Sequence, residues 1–306
     1  MLDTIIIGAG PAGITAAVYA KRYNLHFEIF NKDLIVGGKV NYPHWIENFI
    51  GMPEGIKGSS LADVFYQHLQ VLAIKPIYDT CESVFKHGDG FEIVTSKGAR
   101  YQSKTVVIAT GTVDKKLGIP GEEDYIGKGV STCATCDAPF FKGKTIAVVG
   151  GGDSALSETV YLSEFASKIM LIHRRDEFRG APSLIKALED NPSITIYKGF
   201  IPVSIQGEGF VRSITIRNKN NHLDQELQVN GVFIFSGYEP KTDFVKFPID
   251  LDSQGFITVN HEMQTSQSGV YAIGDIQSKT LRQIVTATSD GAIAIHSIRN
   301  QLHQTS

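Results

Sequence analysis

The apolar and polar positions of this chain fall into a pattern that is written twice. Residues 4–19 (TIIIGAGPAGITAAVY) and 145–161 (TIAVVGGGDSALSETVY) each open with a short β-branched run, pass through closely spaced glycines, and continue with small and apolar residues. A short continuous apolar run ending at glycine predicts a strand buried on both faces, and the longer stretch after it predicts a helix packed on that strand. A second strand follows each helix, Phe27–Phe30 in the first copy and Ile169–Ile172 in the second. Further strand-like segments come next, Phe91–Thr95 in the first copy and Phe200–Ile205 with Val211–Ile216 in the second. Each copy closes on a buried strand that runs into glycine, Val106–Gly111 (VVIATG) and Val232–Gly237 (VFIFSG). A third such strand, Gly269–Asp275 (GVYAIGD), precedes a helix-like stretch that reaches the end of the chain and belongs to neither copy by itself.

Between first strand and first helix each copy carries G-x-G-x-x-[GA]. The positions are Gly8, Gly10 and Gly13, with Pro11 and Ala12 between, and Gly150, Gly152 and Ala155, with Asp153 and Ser154 between. In this context the first glycine makes a tight turn, the second lets a pyrophosphate approach the backbone, and the third lets helix and strand pack closely. One match is a weak signal; two, each in strand–turn–helix context, point to two dinucleotide sites. The expected fold is therefore α/β, with two Rossmann-like, three-layer dinucleotide-binding domains, the second inserted into the first. The outer domain takes residues 1–113 and 243–306 and the inserted domain residues 114–242. The polar, Gly/Pro-containing stretches 114–128 and 237–243 read as the linkers.

Which nucleotide each copy holds is read at the end of its second strand, where an acid suits the NAD ribose and arginine suits the NADP 2′-phosphate. The second copy has His173, Arg174 and Arg175 there, with Arg179 close behind, which points to NADPH. The first copy has Asn31 at the matching offset and no acid until Asp33, which makes it a poorer NAD site. FAD fits better, because Gly274-Asp275 ends a late strand where a carboxylate can accept a hydrogen bond from a polyol. The plainer reading of Asp275 is a helix N-cap.

Cys133-Ala134-Thr135-Cys136 is followed directly by Asp137. Zinc is disfavoured, because a second C-x-x-C and a spaced histidine pair are both absent from the sequence. A pair of buried structural thiols and a redox pair stay open, and the redox pair is favoured because C-x-x-C closes a small, readily exchanged ring. Asp137 can move the proton that dithiol chemistry needs. Cys81, alone in a strand-like region, reads as a small buried hydrophobe. Phe140-Phe141 reads either as part of a partner surface or as core.

Composition narrows the picture further. The 306 residues suit one large domain or two ordinary ones, and Lys+Arg 29 against Asp+Glu 32 gives a net charge of −3, which argues against a nucleic-acid or polybasic membrane binder. The longest uncharged stretch, Thr4–Ala20, is too short and too glycine-broken for a membrane span. Asp3 stands where a signal peptide would be basic, and three cysteines, an odd and low number, suit a reducing cytosol.

Taken in order, Gly8–Gly13, Gly37-Gly38, Glu47-Asn48-Phe49, Ala109-Thr110-Gly111, Cys133–Asp137, Gly150–Ala155, His173-Arg174-Arg175 with Phe178-Arg179, Gly274-Asp275 and Arg282-Gln283 resemble the low-molecular-weight thioredoxin reductases of bacteria and archaea. The resemblance covers almost the whole chain. It implies non-covalent FAD, NADPH as donor, a homodimer and a cytoplasmic setting. It implies electron flow from nicotinamide to flavin, from flavin to a Cys133–Cys136 disulfide, and by dithiol exchange to thioredoxin. Carried over by position, Cys136 faces the flavin, Cys133 attacks thioredoxin's disulfide, and Asp137 is the acid/base. Arg174, Arg175 and Arg179 hold the 2′-phosphate, in a nucleotide site with Gly152, Asp153, Ser154, Ala155 and His173. The FAD positions are Gly8, Gly10, Pro11, Ala12, Gly13, Asn31, Gly37, Gly38, Lys39, Asn48, Ala109, Thr110, Gly111, Gly274, Asp275, Arg282, Gln283 and Ile284. The nicotinamide site and the C-x-x-C share the inserted domain yet both must reach one flavin ring, so the family's solution is rotation of that domain about its linkers. Two departures stand out: Lys39-Val40 where the family usually has Gln-Leu, and Ala138 where glycine is usual. A ferredoxin or flavodoxin reductase would lack the C-x-x-C, a flavin dithiol oxidase would not need the arginines, and a flavin-bearing redox sensor would not turn over.

Overall fold

The computed structural model describes residues 1–42, 45–178 and 180–304. The chain divides into two compact units, Met1–Val113 with Glu239–Ser306, and Asp114–Tyr238.

In the first unit, β1 (Leu2–Ile7) leads into α1 (Pro11–Arg22) and β2 (Phe27–Asn31), followed by α2 (Gly58–Val71) and β3 (Ile77–Tyr78). A meander follows: β4 (Cys81–His87), β5 (Gly90–Thr95) and β6 (Arg100–Ile108). β1 lies between β2 and β6 and pairs with both in parallel. One edge of β6 is shared, its start pairing with β5 in antiparallel and its end with a late strand, Val270–Ala272, in parallel. Successive side chains of β1 point to opposite faces, so Ile6 packs with α1 and Ile5 and Ile7 pack toward the meander. Both faces are covered, which is why the strand reads as an unbroken apolar run. Gly13 lets α1 sit close: a Cβ there would stand 1.8 Å from the Gly8 carbonyl oxygen.

Residues Thr112–Asp114 (β7) carry the chain into the second unit, which repeats the plan. Its strands begin with β8 (Val130–Ser131); the single turn α3 (Ala134–Asp137), β9 (Thr145–Gly150), α4 (Asp153–Leu162), β10 (Lys168–His173), α5 (Pro182–Glu189) and β11 (Ile194–Lys198) follow. The meander β12 (Phe200–Glu208), β13 (Phe210–Asn218) and β14 (Asp224–Gln228) leads to β15 (Gly231–Phe235). The parallel sheet runs β11-β10-β9-β15-β8. Val148, Leu171 and Phe233 meet α4 and α5 on one face, while Val149, Ile172 and Ile234 meet the meander on the other. Residues 115–128 are not a loose linker: Leu117, Ile119 and Tyr125 pack on this core, and buried Glu122 accepts the N–H groups of Leu117 (2.9 Å) and Gly118 (2.7 Å). The chain leaves through β16 (Tyr238–Pro240), which pairs with β7 as a two-stranded sheet. β17 (Val270–Ala272) and α6 (Ile284–Gln304) then complete the first unit. Among the described residues no helix is long and apolar enough to cross a membrane.

Candidate functional site

The carboxyl ends of β1, β6 and β17 lie side by side in the first unit. Gly8 turns the chain out of β1 with φ +110°, and a Cβ there would lie 2.4 Å from the Ala109 carbonyl oxygen. A Cβ at Gly10, in contrast, would meet nothing within 4 Å. Gly10 is the N-cap of α1 and supplies no side-chain cap, Pro11 has no N–H, and Ile14 is the first residue whose N–H bonds back to Gly10. The amides of Ala12 and Gly13 are therefore left at a positive helix end with open space before them, the requirement for a pyrophosphate.

The neighbouring residues frame this opening. Asn31 is buried; its Oδ1 accepts the Ala9 N–H at 3.3 Å and its Nδ2 donates to the carbonyls of Asp33 (2.7 Å) and Ile35 (3.0 Å). Gly37 donates its N–H to the Ala9 carbonyl at 2.7 Å, which sets Gly37-Gly38 against the glycine turn. Lys39 follows in a 3-10 turn, Gly38–Asn41. Ala109, Thr110 and Gly111 lie at the end of β6, with Thr110 exposed. Asn48 donates to Gln283 Oε1 at 3.0 Å, just ahead of Ile284, where α6 begins.

Gly274 (φ +74°) and Asp275 form a 3-10 turn after β17, so Asp275 is not the N-cap of a long helix. The Asp275 carboxyl makes no side-chain hydrogen bond among the described residues, and burial, aided by the Asp290 charge, pushes it up against the opposing pull of Lys279, Arg282 and Lys39. A half-buried carboxylate without a bonded partner, set among cations, suits a hydroxyl-bearing ligand. Arg282 lies over the Phe256 ring at 3.9 Å and donates to the carbonyls of Asp275 (3.2 Å) and Gln277 (3.0 Å), so it holds this turn.

The second unit has the matching opening. Gly152 is the N-cap of α4, without a side-chain cap, and a Cβ there would meet nothing within 4 Å. The Ala155 methyl stands 2.5 Å from where a Gly150 Cβ would be, so here glycine at the first position makes room for alanine at the third. Asp153 accepts the Ala181 N–H at 2.7 Å, and Ser154 Oγ accepts from Tyr238 at 3.4 Å. His173 is 5% exposed and stacked on Phe178, with Nδ1 3.1 Å from the Gly150 carbonyl and Nε2 2.9 Å from the Glu177 carbonyl. Burial holds its pKa down, and Arg175 and Arg174 push the same way. Arg174 is exposed and Arg175 half-buried; Lys219 Nζ donates to the Arg174 carbonyl at 3.3 Å and the Gly199 N–H to the Arg175 carbonyl at 3.2 Å. Arg179 lies outside the described residues.

Cys133 and Cys136 form a disulfide with Cα atoms 5.4 Å apart. Cys133 caps α3 and its Sγ accepts the Cys136 N–H at 3.2 Å. Ser131 clamps Cys133 from the other side: its Oγ accepts the Cys133 N–H at 3.0 Å and donates to the Cys133 carbonyl at 3.2 Å. Cys136 is exposed, Cys133 and Asp137 are half-buried, and the Ala138 methyl is fully buried in the core. Of the two phenylalanines, Phe141 packs on Phe233 at 5.2 Å while Phe140 is 71% exposed. Cys81 is half-buried at the start of β4, and burial pushes its thiol up to about 12. Ser131, Gln277, Lys279 and Asp290 bond to these turns and were not singled out by the sequence. Only Ser131 carried a local signal, as a hydroxyl two residues before a turn.

Residues 2–291 match the pyridine nucleotide-disulphide oxidoreductase family. The chain is 39% identical over 303 residues to the thioredoxin reductase of Bacillus subtilis, covering 99% of this chain and 95% of that protein. It is 38% identical to the bifunctional thioredoxin reductase/thioredoxin of Mycobacterium leprae, over 95% of this chain and 64% of that protein. The crystal structure of Lactococcus lactis thioredoxin reductase superposes with a TM-score of 0.94 at 34% identity, covering 99% of this chain and 100% of that one.

Proposed function

The chain belongs to the pyridine nucleotide-disulphide oxidoreductase family, and we propose that it is a thioredoxin-disulfide reductase that uses FAD and NADPH. The observation that carries this reading is the Cys133–Cys136 disulfide, set in the same unit as a second glycine turn and the arginine pair. The first unit is the FAD domain and Asp114–Tyr238 the NADPH domain. Bound FAD would supply the two-electron transfer that links NADPH to the disulfide.

The residues divide the remaining work. The open amides that follow Gly10 and Gly152 receive the two pyrophosphates, and Asp275 accepts from the flavin's polyol chain. Arg174 and Arg175 pair with the 2′-phosphate, and Arg179 is assigned the same role. His173 acts through the turn: its ring is stacked on Phe178 and its single N–H donates to one of the two flanking carbonyls, Gly150 or Glu177, so that the arginines start from a fixed backbone.

Reduction of the disulfide consumes two electrons and two protons and frees both thiols. The Cys133 thiolate keeps the Cys136 N–H as a donor, an interaction that favours the charged form. It attacks thioredoxin's disulfide and forms a mixed disulfide while one thioredoxin sulfur leaves. Cys136 then attacks Cys133, restores the internal disulfide and releases reduced thioredoxin. Asp137, one residue on, supplies and takes the proton. Exposed Phe140 offers an apolar contact beside the pair. We read the working form as a cytoplasmic homodimer, the setting that the family resemblance implies.

The test is steady-state turnover. Purified protein carrying one FAD per chain should reduce a thioredoxin at the expense of NADPH, one thioredoxin disulfide per NADPH consumed. Absence of flavin, or flavin reduction by NADPH without disulfide turnover, would overturn the assignment.

A further inference from the structure

Asp290 lies on α6, nearly two turns beyond its start, and its side chain is buried, with 11% exposed. One carboxylate oxygen, Oδ2, accepts three donors: the Gly274 N–H at 2.9 Å, Gln277 Nε2 at 2.9 Å and Lys279 Nζ at 2.6 Å. Lys279 is nearly as buried as its partner, so this is an interior ion pair. The next residue, Gly291, lets α6 pack closely on α1: a Cβ there would lie 2.4 Å from the Ala12 carbonyl oxygen and 2.9 Å from the Ala16 nitrogen. A Cβ on Gly274 would in turn stand 3.0 Å from the Ala12 methyl. Asp290-Gly291 thus bonds to the turn that presents Asp275 and packs on the first turn of the helix behind Gly10.

We propose that Asp290 is a positioning residue of the flavin site, setting the Gly274-Asp275 turn against the N-terminus of α1 so that polyol and pyrophosphate contacts form on one ligand. Neither segment does this alone, since they come from opposite ends of the sequence and bind different parts of the cofactor. The interior pairing has a physical logic. An unpaired buried carboxylate or ammonium is costly, so Asp290 and Lys279 hold each other in place, and the Gly274 N–H and Gln277 amide add two more donors to the same carboxylate oxygen. The inference rests on the reading of this unit as the FAD site.

The experiment uses the full-length protein stripped of flavin and titrated with FAD by fluorescence quenching. Thermal midpoints are recorded with and without saturating FAD. Asp290→Ala should weaken FAD binding at least tenfold and shrink the rise in midpoint that FAD produces. Asp290→Asn keeps an oxygen for the Gly274 N–H and should recover part of both. The double variant Asp290→Ala/Lys279→Met removes the stranded ammonium, should fold even under conditions that unfold the single variant, and should still bind FAD at least tenfold more weakly. A merely structural role would lower the midpoint equally with and without FAD and leave the affinity within twofold of wild type, which would overturn the proposal. Wild-type protein that fails to bind FAD would overturn the flavin reading beneath it.

Discussion

Gly8 and Gly10 are two residues apart in one motif, yet the structure gives them opposite reasons for being glycine, and alanine substitution should separate them. At Gly8 the backbone has φ +110° and the new methyl would lie 2.4 Å from a carbonyl oxygen of the chain itself. Left-handed backbone costs about 1–2 kcal/mol for a residue with a Cβ, and overpacking a rigid contact costs about 1–3 kcal/mol more. The sum is about 2–5 kcal/mol, which at roughly 2–4 °C per kcal/mol should lower the midpoint by on the order of 10 °C. At Gly10 the backbone is extended (φ −81°, ψ −175°) and the methyl meets nothing. Gly10→Ala gains about 0.4–1 kcal/mol from the unfolded chain and loses a similar amount as a poorer N-cap, so flavin-free stability should move by less than about 1 kcal/mol. Its methyl instead projects into the space that a pyrophosphate needs. The same overpacking scale of about 1–3 kcal/mol then falls on the ligand and predicts roughly 10- to 100-fold weaker FAD binding. The assay pairs thermal denaturation of flavin-free protein with FAD titration. A Gly10→Ala protein that binds FAD as wild type does, or that unfolds as early as Gly8→Ala, would refute the reasoning.

Three further outcomes are expected. Cys133→Ser or Cys136→Ser should abolish thioredoxin reduction while NADPH still bleaches the flavin in stopped flow; near-normal turnover would mark the disulfide as structural. Arg174→Ala with Arg175→Ala should raise KM for NADPH on the order of 10²-fold, since charged hydrogen bonds are each worth about 1.5–3 kcal/mol, and should leave NADH kinetics little changed. Burial pushes the Glu158 carboxyl up to about 7 from 4.5. The unfolded chain therefore ionises first as pH rises, and stability falls from about pH 4.5 until the folded carboxyl has also ionised near 7. The full loss is up to about 3 kcal/mol at roughly 1.4 kcal/mol per pH unit. Glu158→Gln should consequently stabilise the second unit at pH 8.5 and barely at pH 5 in urea unfolding; an equal effect at both would refute the burial argument.

The strands that build both sites were legible because they are buried on two faces. Ile5, Ile6 and Ile7 leave no polar interruption, and Ile146–Val149 repeat the signal. The glycine turns were legible through spacing, and so were the cysteines. Residues 114–128 were misleading, because their polar composition hid a packed segment in which Glu122 is buried to satisfy two backbone amides. His173 was legible as part of an arginine-rich turn, but the approach of its ring to the Gly150 carbonyl crosses between strands and leaves no mark in the sequence. Asp290 was invisible for a related reason. A single acid in a helix looks like solvent-facing charge, and its partners, Gly274, Gln277 and Lys279, lie in an irregular turn that no periodicity describes.

The order in which the chain is made gives the inserted unit a head start. Its two ends lie side by side, with the Lys115 N–H bonded to the Gly237 carbonyl at 2.8 Å, so every strand of its sheet has been synthesised once residue 238 has emerged. At that moment β6 still lacks β17, and α1 still lacks α6, whose Ala294, Ile295 and Ile298 belong to the core that α1 builds with Ile6 and Val107. At roughly 5–20 residues per second, the outer unit stays open for several seconds while its second segment is translated. During that interval the apolar face of α1 and the free edge of β6 are exposed beside a unit that has already closed. Premature termination after residue 238 would therefore release a folded second unit tethered to an aggregation-prone first half, and truncations before α6 should be recovered as insoluble protein.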